Sequence, residues 1–295
     1  MQLFSTPVIV AFFISLASCR DISWYMPQGN GLLTNAWLAN ASKEFAGNKP
    51  IATGVYLCCG AFSIDDNGAL TRRTDDQIRK DIFGLSAAGL KVHYVFGISM
   101  VSILQQSWKS SGALQAMSSV AEVLGFDGYI CDYEPETQYT TKHAELYADF
   151  LYALSLSMHA KKKQSGFCSA GWGILDYWSI YNTSGVDIAT SMTPTYNWLG
   201  NGEPLFQFVV AELAKGAMPR QSVGAGIGTM LAPGYKPEWE YNWTQPTLQI
   251  FTTFLTSDAV NISRMDFWRA DIDPNWGPEA TAPFVFLAAA AFLSG

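Results

Sequence analysis

Three carboxylates, Asp132, Glu134 and Glu136, fall on every second residue of the stretch FDGYICDYEPE, residues 126–136. Side chains along a strand alternate between two faces, so this spacing aims Asp132 and Glu134 the same way, with Ile130 beneath them. Two residues advance a strand by roughly 6.6–6.8 Å, which puts Asp132 one layer below Glu134. Crowded like charges raise at least one of the two pKa values. A carboxyl that keeps its proton near neutral pH is a general acid, suited to protonating a leaving oxygen. The plainer alternative is a pair of acids that bind backbone or arginine at a strand end. Glu136 follows Pro135, which ends the strand, so it reads as a loop carboxylate.

The chain supplies the elements to hold such a pair. Strand-type runs appear at 22–27, 51–62, 91–98, 126–134, 166–172, 187–194, 222–228 and 263–270. Helical periodicity lies between them, most clearly at 75–89, 142–160 and 205–217. Gly89, Gly125 and Gly216 stand where helices end. Strands that alternate with helices pair in parallel, because each return needs a crossover. Eight such units predict a single (β/α)8 TIM barrel, an α/β fold, over residues 20–295. In such barrels the chemistry sits at the C-terminal strand ends. Asp132 and Glu134 fall at that end of the fourth strand.

Composition narrows the partners. Of 295 residues, 49% are hydrophobic and 15% charged, enough apolar content for one sizeable core. The net charge of −7 argues against nucleic acid, which needs clustered Lys and Arg. Lys161, Lys162 and Lys163 form a basic run that reads as a solvated helix end. His93, His143 and His159 have no metal-ligand spacing, and Gly224, Gly226 and Gly228 miss the nucleotide-binding pattern. No metal and no cofactor is expected. Cys58, Cys59, Cys131 and Cys168 read as buried thiols, with a cross-strand pairing as the alternative. Trp24, Tyr25, Trp172, Trp198, Trp268 and Trp276 lie near predicted strand ends, where aromatic faces stack on sugar rings or pack between helices and barrel.

Residues 1–19 read as a secretory signal peptide, with a buried first element as the alternative. Sequons at Asn40, Asn182, Asn242 and Asn261 agree with a secreted glycoprotein. The tail PFVFLAAAAFLSG reads as the last barrel helix rather than an anchor signal. No stable membrane insertion is expected, and the default oligomeric state is a monomer.

The segment from Asp127 and Gly128 to Asp132 and Glu134 resembles the strand-four signature Asp-Gly-x-Asp-x-Asp-x-Glu of glycoside hydrolase family 18, the chitinases and their relatives. GVYLCCGAFSIDDNGAL, GLKVHYVFGI, DIATSMTPTYN, MPRQSVGAGIG and RMDFWRAD are similar to other strands of that family, in the family's order. The resemblance implies cleavage of β-1,4 bonds beside N-acetylglucosamine by substrate assistance, without a protein nucleophile. It implies that Glu134 is the acid and then the base, and that Asp132 holds the acetamido N–H. Tyr196 would bond the acetamido group, with Asn197 beside it. Trp268 would stack beneath the sugar, and Asp127 would be structural.

Two positions depart from the pattern. Ile130 replaces the family's middle aspartate, which leaves Asp132 above an apolar group. Pro194 stands where the strand-six tyrosine is expected. The 229–262 segment is too short for the extra domain of many chitinases, which implies a shallower cleft. Three readings follow: a slow secreted hydrolase of N-acetylglucosamine glycans, a lectin-like barrel without activity, and a barrel glycosidase with a covalent nucleophile.

Overall fold

The computed structural model describes residues 20–134, 140–169, 178–192, 219, 222–228, 244–257, 260–268 and 283–294. Near-continuous apolar runs form its strands, as expected where both faces of a parallel sheet are covered. These are β1 (Asp21–Pro27), β2 (Gly54–Cys58), β3 (Phe62–Ile64), β4 (Leu70–Arg72), β5 (Lys91–Ile98), β6 (Gly128–Asp132), β7 (Gln164–Ser169), β8 (Ile188–Ser191), β9 (Val223–Gly228) and β10 (Arg264–Trp268). Leaving aside β3 and β4, the other eight strands form a parallel ring in which each pairs with two others of the ring, and β3 adds a short parallel pairing to β5. The ring closes where Asp21 of β1 meets Arg264 of β10. The result is the expected (β/α)8 barrel.

Local signals set the helices around it. They are α1 (Gly31–Phe45), α2 (Asp75–Ile82), α3 (Met100–Gln105), α4 (Trp108–Ser111), α5 (Ala113–Leu124), α6 (Thr141–His159), α7 (Trp178–Tyr181), α8 (Gln245–Leu255) and α9 (Pro283–Ser294). Asn30 caps α1 by accepting from Leu32 and Leu33 N–H. Thr74 and Gln77 form a capping box on α2. Gly125 ends α5 in the left-handed conformation, at φ 82°. The helix expected over 75–89 is two pieces. Gly84, at φ 86°, stops the first, and a single 3-10 turn, Ser86–Ala88, follows. The strand expected over 51–62 likewise divides into β2 and β3, and β3 pairs with β4 as an antiparallel hairpin that the sequence reading did not separate.

The outer core lies between strands and helices. Trp24 points outward from β1, stacks at 4.6 Å on Phe267 and 5.4 Å on Phe286, and donates from Nε1 to the Ile51 carbonyl at 2.8 Å. It packs the shell and offers no sugar platform. Phe286 belongs to α9 and also stacks on Phe45 of α1, so the apolar tail is a barrel helix. Burying each such ring contributes about 1.5–3 kcal/mol. Among the described residues, no helix is long and apolar enough to cross a membrane.

The inner core is a separate cluster. Tyr25, Tyr56, Val95, Ile130, Cys168, Ile188 and Met192 meet inside the ring, with Trp268 packed against them. Below them the barrel floor is polar. Arg264 donates to the Tyr56 hydroxyl at 2.6 and 3.0 Å and to Ser23 Oγ at 3.1 Å. Its Nε lies 3.3 Å from Asp266 Oδ1, and Thr190 donates to Asp266 Oδ2 at 2.6 Å. Gly224 faces this group; a Cβ there would collide with the Asp266 carboxylate and the Arg264 stem. The glycine run of β9 therefore makes room for a buried ion pair. It is strand, not a nucleotide loop.

Candidate active site

The alternation read from the sequence holds along β6. Tyr129, Cys131 and Tyr133 point to the helices: the Tyr129 hydroxyl donates to the Met117 carbonyl of α5 at 3.1 Å, and the Tyr133 hydroxyl lies 2.6 Å from His143 Nε2 of α6. Gly128, Ile130 and Asp132 point inward. Asp127 accepts from the Val92 N–H at 2.7 Å through Oδ2, which fixes the entry of β6 against β5. Gly128 sits where β7 crosses closely, since a Cβ would strike the Gln164 backbone. Asp127 and Gly128 thus both join β6 to its neighbouring strands.

Asp132 is the last residue of β6 and is half-buried, while Glu134 lies two residues beyond the strand and is exposed. The strand is thus shorter than the expected 126–134, and Glu134 stands on the segment leaving the rim. Burial raises the pKa of Asp132, and a hydrogen bond from Cys168 opposes that rise. Glu134 keeps an exposed edge, yet enough protein surrounds its carboxyl that desolvation, with the negative charge of Asp132 added, raises its pKa to about 7. The two acids are therefore set apart in character. One is a carboxyl that titrates near neutrality at the rim; the other lies deeper and accepts a hydrogen bond.

Ile130, fully buried beneath Asp132, contacts the bare backbone of β7. A Cβ at Gly166 would come within 2.7 Å of Ile130 Cδ1 and 2.7 Å of the Ile188 carbonyl. The isoleucine is fitted to a glycine across the strand pair, so the floor under Asp132 is packed and apolar.

Trp268 ends β10 at the same rim, partly exposed, with its ring 4.6 Å from Tyr25. Tyr25 is buried at 3% exposure between Trp268 and Tyr56, so it braces the tryptophan from below. Tyr196, Asn197, Trp172, Trp198, Glu136, Pro194 and Trp276 lie outside the described residues. So does the helix expected over 205–217.

The cysteines differ from the reading as four thiols. Cys58 and Cys59 are joined in a disulfide, while Cys131 and Cys168 are free and buried. The physical reason is that β2 ends at Cys58. Cys59 escapes the alternation that would have aimed it away from its neighbour. Sequence reasoning also missed the contact of Cys168 with Asp132, donated from Sγ to Oδ1 at 3.3 Å. Register places the two residues side by side, and no local pattern reports register. His93 is buried beside Gln164, and His159 pairs with Asp187. Among the described residues no cluster could hold a metal ion.

No protein-family model matches the chain, and no curated protein matches it. Solved structures do. A chitinase from Chromobacterium violaceum superposes with a TM-score of 0.65 at 12% identity, covering 94% of this chain and 99% of that one. A GH18 chitinase from the chitin utilization locus of Flavobacterium johnsoniae gives 0.60 at 13% identity, covering 92% and 94%. A Group II chitinase catalytic domain from Ostrinia furnacalis, solved in complex with penta-N-acetylchitooctaose, gives 0.57 at 12% identity, covering 90% and 94%. The chain thus shares the barrel of these chitinases over nearly its whole length.

Proposed function

We propose that this barrel is a glycoside hydrolase that cleaves β-1,4 bonds beside N-acetylglucosamine, as a divergent relative of family 18. The observation that carries the reading is the acid pair at the rim: a Glu134 carboxyl whose pKa is near 7 beside the deeper Asp132. The acetamido oxygen of the bound sugar attacks its own anomeric carbon. Glu134 gives its proton to the glycosidic oxygen as that bond breaks. Asp132, ionised, accepts the acetamido N–H and stabilises the positive charge of the cyclised sugar. Glu134, now a carboxylate, takes a proton from water as the oxygen of that water joins the anomeric carbon. The five-membered ring reopens, and configuration is retained. Trp268 offers its face to the apolar side of the pyranose.

Similarity to chitinases, one of them bound to a chitooligosaccharide, supports N-acetylglucosamine oligomers as the substrate class. Secretion through a signal peptide at 1–19, glycosylation at the sequons and a monomeric state belong to the same proposal. Turnover of fluorogenic N-acetylglucosamine oligomers by wild type, and its loss in Glu134→Gln, is the expected outcome. Equal turnover by the variant would remove Glu134 from its role.

The packed Ile130 favours one rival, a sugar-binding barrel without activity. That rival predicts heat of oligosaccharide binding in calorimetry and no hydrolysis over days.

A further inference from the structure

Asp132 has lost the acid that would stand two residues earlier, yet its carboxylate is not left without a donor. Cys168, fully buried on β7, is the register partner of Asp132, and both side chains point into the barrel. Its Sγ lies 3.3 Å from Asp132 Oδ1 and 3.6 Å from the Cys131 carbonyl. Burial, with the Asp132 charge beside it, raises the Cys168 pKa well above the usual thiol range. The sulfur therefore stays protonated and has a hydrogen to give. Ile130, whose Cδ1 lies over Gly166, closes the direct path from below, so the neighbouring strand is the side from which a donor reaches. Tyr25, braced on Trp268, belongs to the same inner cluster as Cys168.

We infer that Cys168 is a positioning residue for the hydrolase proposed above: its thiol donates to Asp132 from the adjacent strand and holds that carboxylate where the substrate's acetamido N–H arrives. This rests on the hydrolase reading for its consequence, but not for the contact itself. A thiol is a weak donor, so it orients the carboxylate while satisfying little of its charge. Among the described residues no donor reaches the second oxygen of Asp132, the one the proposal gives to the sugar. Besides Cys168, the titratable groups near Asp132 among the described residues are Glu134 on the same segment and Tyr25 on β1, with Cys131, next in sequence, turned to the helices.

Two readouts test the inference separately. The first is the infrared S–H stretch of the whole protein. The Cys168 band is isolated by subtracting the Cys168→Ser spectrum, which leaves the Cys131 band in both. The band should move as Asp132 titrates, and that movement should vanish in Asp132→Asn. The second readout is kinetic. Cys168→Ala should lower kcat roughly tenfold, the rate equivalent of one hydrogen bond to a charged group. It should also move the acid limb of kcat/KM to higher pH, because loss of a donor to the ionised form raises the Asp132 pKa. Cys168→Ser, with a stronger donor, should keep kcat within roughly threefold of wild type and hold the acid limb at or below its wild-type pH. A thiol band indifferent to Asp132 overturns the contact, whatever the activity. A moving band with an unchanged rate and pH profile in Cys168→Ala overturns the positioning role and leaves the hydrolase. A moving band in a wild type that cleaves no N-acetylglucosamine oligomer overturns the hydrolase reading, and the positioning role with it.

Discussion

Replacing Ile130 by aspartate tests whether the missing acid limits the site. The side chain is fully buried, so the change forfeits about 1.5–3 kcal/mol of apolar burial. It also leaves a carboxyl with at best one partner, at a further cost of about 1–3 kcal/mol. The two terms together are about 2.5–6 kcal/mol, which in a chain of this size lowers Tm by roughly 5–20 °C. The new carboxyl sits in apolar surroundings below a negative charge, and both effects keep it protonated at neutral pH. Its O–H then faces Asp132 and makes a stronger hydrogen bond than the Cys168 thiol. A gain of about 1.4 kcal/mol in transition-state stabilisation corresponds to about a tenfold rise in kcat. The assay is hydrolysis of fluorogenic N-acetylglucosamine oligomers well below the lowered Tm, with near-UV circular dichroism to confirm packing. A folded Ile130→Asp protein that turns over no faster than wild type would refute the reasoning, because the acid's absence would then not limit the rate.

Further expectations follow from the electrostatics. Carbon-13 NMR of the Glu134 carboxyl should give a midpoint near 7, and Asp132→Asn should lower it only in part, since burial is the larger cause. The folded pKa of Glu134 lies above its ordinary 4.5, so its stabilising contribution is present below 4.5 and lost as pH rises through about 7. Glu134→Gln should therefore raise Tm relative to wild type at about pH 8 and give no such gain at about pH 4; a gain that is equal at both would contradict the assignment. Arg264→Ala strands Asp266 in the barrel floor and should cost about 3–5 kcal/mol by urea denaturation. A loss below about 1 kcal/mol would mean that Tyr56 and Thr190 alone satisfy that carboxylate.

The barrel was legible because its strands are covered on both faces and read as apolar runs, and because glycines stop the helices between them. Alternation is local, so within β6 it was legible that Ile130 and Asp132 share the face opposite Tyr129 and Cys131; Glu134 lies two residues beyond the strand, where alternation no longer applies. What escaped depends on relations between strands. Cys168 meets Asp132, Gly166 admits Ile130, and Gly224 admits the Arg264–Asp266 pair through register, which no single segment encodes. Strand ends were also misjudged. β2 stops at Cys58 and β6 at Asp132, and each early end changes what the next side chain can reach. Gly84 divides a helix whose periodicity runs straight through it, because one left-handed residue outweighs an apolar pattern.

The central claim is chemical, and the anomer first released from a chitooligosaccharide tests it most directly. Proton NMR during the first minutes of cleavage should show the β-anomer ahead of mutarotation with wild type, and no product with Glu134→Gln. An α-anomer, or cleavage that survives loss of the Glu134 proton, would contradict the account.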